Sequence, residues 1–206
     1  ALVSINHCLF KGGLRLTALV LLAVLAGACG LSVAPDDADD RKRHAWEQRI
    51  DTIQDSMAVH ELIDSLRKAN DLQALTVAYL QLGKLQRHAS KFYEALATHQ
   101  KGRACADSIH DTVSVIRHYN HAATCYRRLG LLEEASVRHY RALALCAQMH
   151  DQTSDEAVEN KIVGLNGAGN VHLTLGNYAA ADSAFRLALL GEAQLGSEIG
   201  RAINYA

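Results

Sequence analysis

Between residues 119 and 147 apolar side chains recur every three or four positions, in two runs separated by Gly130: YNHAATCYRRL and LLEEASVRHYRALALCA. That period collects the apolar positions on one side of a helix, so the stretch predicts two amphipathic helices folded back on each other. Ala122, Ala123, Ala135 and Ala142 fall where the pair must approach closely, while Tyr119, Tyr126, Leu129, Leu132 and Leu143 supply bulk between them. Helix axes about 8–10 Å apart leave no room for a long side chain at the nearest point, hence the small residues. Gly130 is placed to take the left-handed conformation that stops the first helix.

The same unit recurs on both sides. Its opening bulky slot holds Tyr79, Tyr119 and Leu165, and its first small slot Gly83, Ala123 and Gly169. The turn slot holds Ser90, Gly130 and Gly176; the second helix carries Ala95, Ala135 and Ala181, then Gly102, Ala142 and Ala188. Asp71, Asp111 and Asp151 mark the junctions at intervals of 40 residues, while Gly169 follows Ala123 by 46, with the six additional residues in the polar run 152–161. Self-similarity at a fixed period predicts stacked helix pairs, each too small to bury its apolar face alone. Three units follow, at 71–110, 111–150 and 151–196, and residues 197–206 read as the start of a fourth, since Asn204 parallels Asn120 and Asn166. The chain is therefore read as part of a longer protein. Upstream, Trp46, Ile50, Ile53, Met57, Leu62, Ile63 and Leu66 predict one or two helices within 45–70 that cap the first unit. Residues 30–44 include DDADDRKR, whose charges have nothing to bury and predict a disordered tether.

These slots resemble the tetratricopeptide repeat family, most clearly in LNGAGNVHLTLGNYAAADSAFRLAL, where Gly169, Gly176, Tyr178, Ala181, Phe185 and Ala188 occupy its characteristic positions. The resemblance implies an all-α solenoid, a right-handed superhelix of antiparallel helix pairs. Departures are visible: Gln86 stands where an aromatic is usual, Gly102 where Ala is usual, and His99 and His139 replace the bulky residue that Phe185 provides. The units also exceed the common length of about 34 residues. In this family the first helix of each pair lines the inside of the superhelix and meets the ligand. Here the non-core positions of those helices carry Lys84, Arg87, Arg117, Asn120, His121, Arg127, Asn166 and Asn170. Asn amides can pair with a peptide backbone, and Lys and Arg attract carboxylates, so an extended, acidic peptide or partner protein is the expected ligand. The family's dicarboxylate clamp is not reproduced, because Leu80, Val163 and Gly167 stand at its positions.

Residues 1–29 are of another kind. Lys11 and Arg15 precede LTALVLLAVLAGA, thirteen uncharged residues with the length of a signal-peptide core. The run continues into LAGAC, which is similar to a bacterial lipobox and implies acylation at Cys29. A single membrane anchor is the other reading, since no charge occurs from residue 16 to Pro35. Either places the repeats outside the cytoplasm, in a bacterial periplasm or at the outer membrane.

Charge and chemistry narrow the function. A net charge of −1 exerts no global pull toward nucleic acid. Cys105, Cys125 and Cys146 are spaced too unevenly about the predicted turns to pair, and read as small buried hydrophobes. Of the eleven histidines, His118 and His121 are three apart and raise a zinc or nickel site, but without HExxH or CxxC motifs the imidazoles read as packing groups, so no metal or cofactor is assigned. No nucleophile elbow or phosphate loop is present, which predicts a scaffold and not an enzyme. The alternative is the extracytoplasmic sensory module of a histidine kinase or transcriptional regulator, which such repeats behind an export signal also resemble.

Overall fold

The computed structural model describes residues 37–198 and 200. Among them are eight helices and no strand: α1 Asp37–Ile50, α2 Ser56–Ala69, α3 Leu72–His88, α4 Phe92–Ser108, α5 Thr112–Arg128, α6 Leu132–Cys146, α7 Asp155–Thr174 and α8 Tyr178–Gln194. The assignments at residues 1–29, with Cys29, and at 201–206 lie outside the described residues.

One local device ends six of these helices. A residue of positive φ is followed by an N–H that donates to the carbonyl five residues back, satisfying a helix end that would otherwise be orphaned. The left-handed positions are Asn70, Ser90, His110, Gly130, Gly176 and Gly196. The matching bonds include Lys91 to Gln86 (2.8 Å), Asp111 to Ala106 (3.0 Å) and Asn177 to His172 (2.9 Å). The turns fall at 70, 90, 110 and 130, then at 176 and 196, so the structural period is a single helix-turn of 20 residues. Asp71 and Asp111 start α3 and α5 by accepting from Ala74 N and Ser114 N, both at 3.0 Å. The third junction differs. Ser154, and not Asp151, caps α7, while Asp151 folds the preceding turn by accepting from Thr153 N (2.8 Å) and Ser154 N (3.1 Å). Of the six additional residues, three lengthen α7, which has 20 residues against 17 in α5; the other three fall before it, where α6 has 15 residues against 17 in α4 and the loop after it is correspondingly longer.

Helices pack on their neighbours in sequence: α3 on α4, α5 on α6 and α7 on α8, with α4 on α5 and α6 on α7 between them. The first helices also form a row of their own, α3 against α5 and α5 against α7. Small residues permit this. Ala95, Ala123, Ala135, Ala142 and Ala188 are fully buried, as is Ala181 to within 2%, and Gly83 and Gly169 are buried as well. A Cβ at Gly83 would meet the ring of His99, and one at Gly169 would stand 2.6 Å from the ring of Phe185. Tyr79 is buried, while Tyr119 and Phe185 are half-buried. Cys105, Cys125 and Cys146 are free thiols, the last two buried.

Two upstream expectations are corrected. The acidic-basic run within 30–44 is not a disordered tether where it is described: α1 begins at Asp37 and continues through it, crossing the expected boundary at 44. Asp40, Lys42 and Arg43 form ion pairs, while Asp39 and Arg41 are exposed. The capping region contains two helices, and α2 buries Val59, Ile63 and Leu66 against α3 while Met57, expected on that apolar face, is 70% exposed. α1 packs on α3 as well, running in the same direction: Gln73 Nε2 donates to Asp39 O (2.6 Å) and Gln81 Nε2 to Ile53 O (2.7 Å).

Candidate functional site

The row of α3, α5 and α7 bounds a groove whose remaining wall is α1. An open cavity of about 230 Å³ lies in it, lined by Lys84, Arg117, Asn120 and His121 together with Glu47, Asp51, Glu159, Asn160, Leu80 and Val163. Four of the eight ligand positions expected from the sequence therefore converge: Lys84 from α3 and Arg117, Asn120 and His121 from α5.

Their states differ. Lys84 Nζ holds Asp51 Oδ1 at 3.0 Å, and Arg117 pairs with Glu47 and, at 2.9 Å, with Glu156 Oε1. His121 is half-buried and stacks on the ring of His99, centroids 5.5 Å apart. Asn120 is only 2% exposed and its amide serves the fold, Nδ2 donating to Asn160 O (3.3 Å) and Oδ1 lying 3.2 Å from His139 Nδ1. It ties α5 to α6 and α7. Asn170 Nδ2 likewise donates within its own helix, to Asn166 O at 2.8 Å. Asn166, Asn170, Arg87 and Arg127 lie outside the cavity lining. Burial, then the neighbouring Arg128, lowers the pKa of Arg127.

Acidic groups are the part of the site that the sequence did not disclose. Arg43, 2% exposed, reaches Asp111 Oδ1 (3.0 Å), Glu156 Oε2 (2.7 Å) and Asp40 Oδ1 (3.0 Å). Burial alone would depress this guanidinium, but the four surrounding carboxylates, Asp111 foremost, outweigh it and hold the cation more firmly than usual. Glu156 moves the other way for an acid, its pKa raised because burial outweighs the attraction of Arg43 and Arg117. Both directions are consistent with a cluster in which Asp40, Glu47, Asp111 and Glu156 outnumber two arginines. His44, Glu47 and Glu156 bring ligand atoms within 4.8 Å of one another, the spacing a metal ion requires. Both carboxylates are already bound to guanidinium groups, so the trio belongs to the ion-pair network.

The histidines expected as packing groups sit deep in the fold. His99 Nδ1 is 3.2 Å from His118 Nδ1, and His118 meets Gly102 as His99 meets Gly83. Two imidazole nitrogens at that distance cannot both carry a proton along the line between them, and burial drives His118 down to about 3 and His139 to about 4. His118 and His121, three apart in sequence, both meet His99 of α4, the first through Nδ1 inside the fold and the second by stacking on it from the groove. On the other side of the molecule a cavity of about 840 Å³ lies between α4 and α6, where Arg103 stacks on Tyr119 and Arg138 on Tyr126, both at 5.3 Å. Among the described residues no helix is long and apolar enough to cross a membrane. Comparison with protein-family models and with curated proteins finds no match for the chain.

Proposed function

We propose that this chain is a tetratricopeptide-like repeat scaffold, a solenoid of antiparallel helix pairs that binds a segment of another protein in the groove along α3, α5 and α7, without catalysis of its own. Support for the repeat comes from the recurrent left-handed turn every 20 residues and the continuous row of first helices. The observation that carries the function is the open cavity in which Lys84 and Arg117 already hold carboxylates, the chemistry an acidic peptide presents. Guanidinium and ammonium groups fixed on neighbouring helices of a groove recognise such side chains at little entropic cost. The lipobox-like segment ending at Cys29 supports export and tethering at a bacterial membrane, with the sensory input module of a signalling protein as the larger context in which such a scaffold serves.

The test is fluorescence anisotropy with a labelled Asp/Glu-rich peptide at about 50 mM salt, where screening is weak. The full chain is expected to bind it in preference to a Lys-rich peptide of equal length. Lys84→Ala combined with Arg117→Gln should weaken binding about tenfold or more, or roughly 1.4 kcal/mol, whereas Arg127→Ala, outside the cavity, leaves it unchanged. Equal capture of both peptides, or an unaffected double variant with native circular dichroism, would refute the assignment.

A further inference from the structure

The cavity lining contains two cations, Lys84 and Arg117, against three carboxylates, Glu47, Asp51 and Glu159. Two of those carboxylates, Glu47 and Asp51, come from α1 and the residue after it. Lifting α1 would uncover Lys84 and Arg117 beside Asp111 and Glu156, so the groove presents a pattern of alternating charges and not a net excess of cations. Arg43, Glu47 and Asp51 are four residues apart, so they line up along one side of α1. Each meets an opposite charge in the groove: Arg43 the pair Asp111 and Glu156, Glu47 Arg117, and Asp51 Lys84. Gln73 and Gln81, both buried in α3, add bonds to the carbonyls of Asp39 and Ile53 at the two ends of the segment. The helix is seated as a bound ligand would be, by its charged face. Its apolar anchors, Ile50 and Trp46, are confined to the C-terminal end, next to the non-helical residues 51–55 that join it to α2.

Resting on the groove reading above, we propose that α1 is an intramolecular occupant of the ligand groove, displaced by an acidic helical segment of a partner protein that repeats its spacing of one basic residue followed at four and eight positions by carboxylates. The partner must then compete with a tethered copy of its own recognition pattern. The apparent affinity is reduced by the fraction of molecules in which α1 is docked.

Trp46 is the single tryptophan of the chain and lies in α1, so its emission reports docking. The experiment uses the full chain, wild type and Arg43→Gln/Glu47→Gln, with a labelled synthetic peptide of residues 38–54 as probe. Helical content by circular dichroism and mass by light scattering are measured alongside. The double variant is expected to keep the helical content of the other seven helices, shift Trp46 emission to the red and bind the probe at least tenfold more tightly than wild type. Adding Lys84→Ala and Arg117→Gln should remove that gain. An unshifted emission overturns the claim that these charges hold α1. Equal, measurable probe affinity in wild type and variant leaves the groove reading standing and overturns the gate. No binding by either, with the emission shifted, overturns both. A dimer formed by the variant makes a second copy of the chain the occupant and overturns the assignment of a separate partner. A double variant that unfolds is replaced by wild type in rising salt, where the ion pairs weaken by screening: a red shift of Trp46 at unchanged helicity supports the gate, and no shift up to about 1 M salt, where the screening length is about 3 Å, overturns it.

Discussion

Gly102 illustrates how single residues decide the packing. The tetratricopeptide pattern that the repeats resemble prefers alanine at its position, but a Cβ there would meet the ring of His118 and stand 2.8 Å from Tyr79 Cβ. Neither neighbour can yield easily: His118 is 1% exposed, and Tyr79 Cβ is one bond from the backbone of α3. The departure at 102 is therefore the complement of the histidine at 118, as Gly83 is of His99. Gly102→Ala improves intrinsic helix propensity by nearly 1 kcal/mol, yet overpacking of a closed contact costs about 1–3 kcal/mol, so a net loss of stability is expected in urea denaturation. A gain equal to the propensity term would mean that α4 and α5 can separate without penalty. Asn120 teaches the same lesson from the polar side. Its place on the first helix made it a ligand candidate, but a buried amide that accommodates His139 and Asn160 is spent on holding helices together.

At the scale of the element, the aspartates before α3 and α5 serve unequally. Asp71 caps α3 and, half-buried, meets the exposed Lys42 at 3.6 Å, whereas Asp111 caps α5, accepts from Ser114 Oγ (2.6 Å) and binds the buried Arg43. Asp71→Ala is expected to cost about 1 kcal/mol, the usual worth of a cap. Asp111→Ala should cost about 2–4 kcal/mol, because a buried guanidinium also loses a partner. Equal losses in chemical denaturation would show that the Arg43 contact contributes nothing. These caps and the glycine turns were legible in the sequence, since Asp at a junction and Gly past a helix end have local causes. The turns at Asn70, Ser90 and His110 were less so, being non-glycine residues in the left-handed region. Of α1 only the apolar end, at Trp46 and Ile50, was legible. Its composition is that of a solvated segment, and its partners Asp111, Arg117 and Glu156 lie 68, 70 and 113 residues away from the residues they bind. Long-range charge pairing has no signature at any short period. The cationic half of the groove could be placed from helix registers, while the acidic half, supplied by α1 and the start of α7, could not.

Across the whole molecule, buried imidazoles link α4, α5 and α6 and make the fold sensitive to acid. His99, His118 and His139 are each about 1% exposed, and burial lowers the pKa of every one. Their folded values lie below the unfolded value of about 6.5, so between the two the unfolded chain binds more protons. Stability is complete above about pH 6.5 and falls as the pH drops, with the contribution of His139 exhausted only below its folded value of about 4. Glu156, with its pKa raised by burial, acts in the opposite sense, but over the carboxylate range and as a single group. Each neutral imidazole can contribute a slope of about 1.4 kcal/mol per pH unit within its interval. His139 is the cleanest to isolate, since the corresponding slot in the third unit holds Phe185, and its ring packs against Gly167 of the next helix pair. His139→Phe removes one titrating group from the fold. Between pH 7 and pH 5 the variant should lose about 2 kcal/mol less stability than wild type, whatever its stability at neutral pH. Urea unfolding at a series of pH values reads this directly as a shallower slope. Parallel slopes would mean that His139 takes up its proton while the chain remains folded, which is incompatible with an imidazole sealed between α5, α6 and α7.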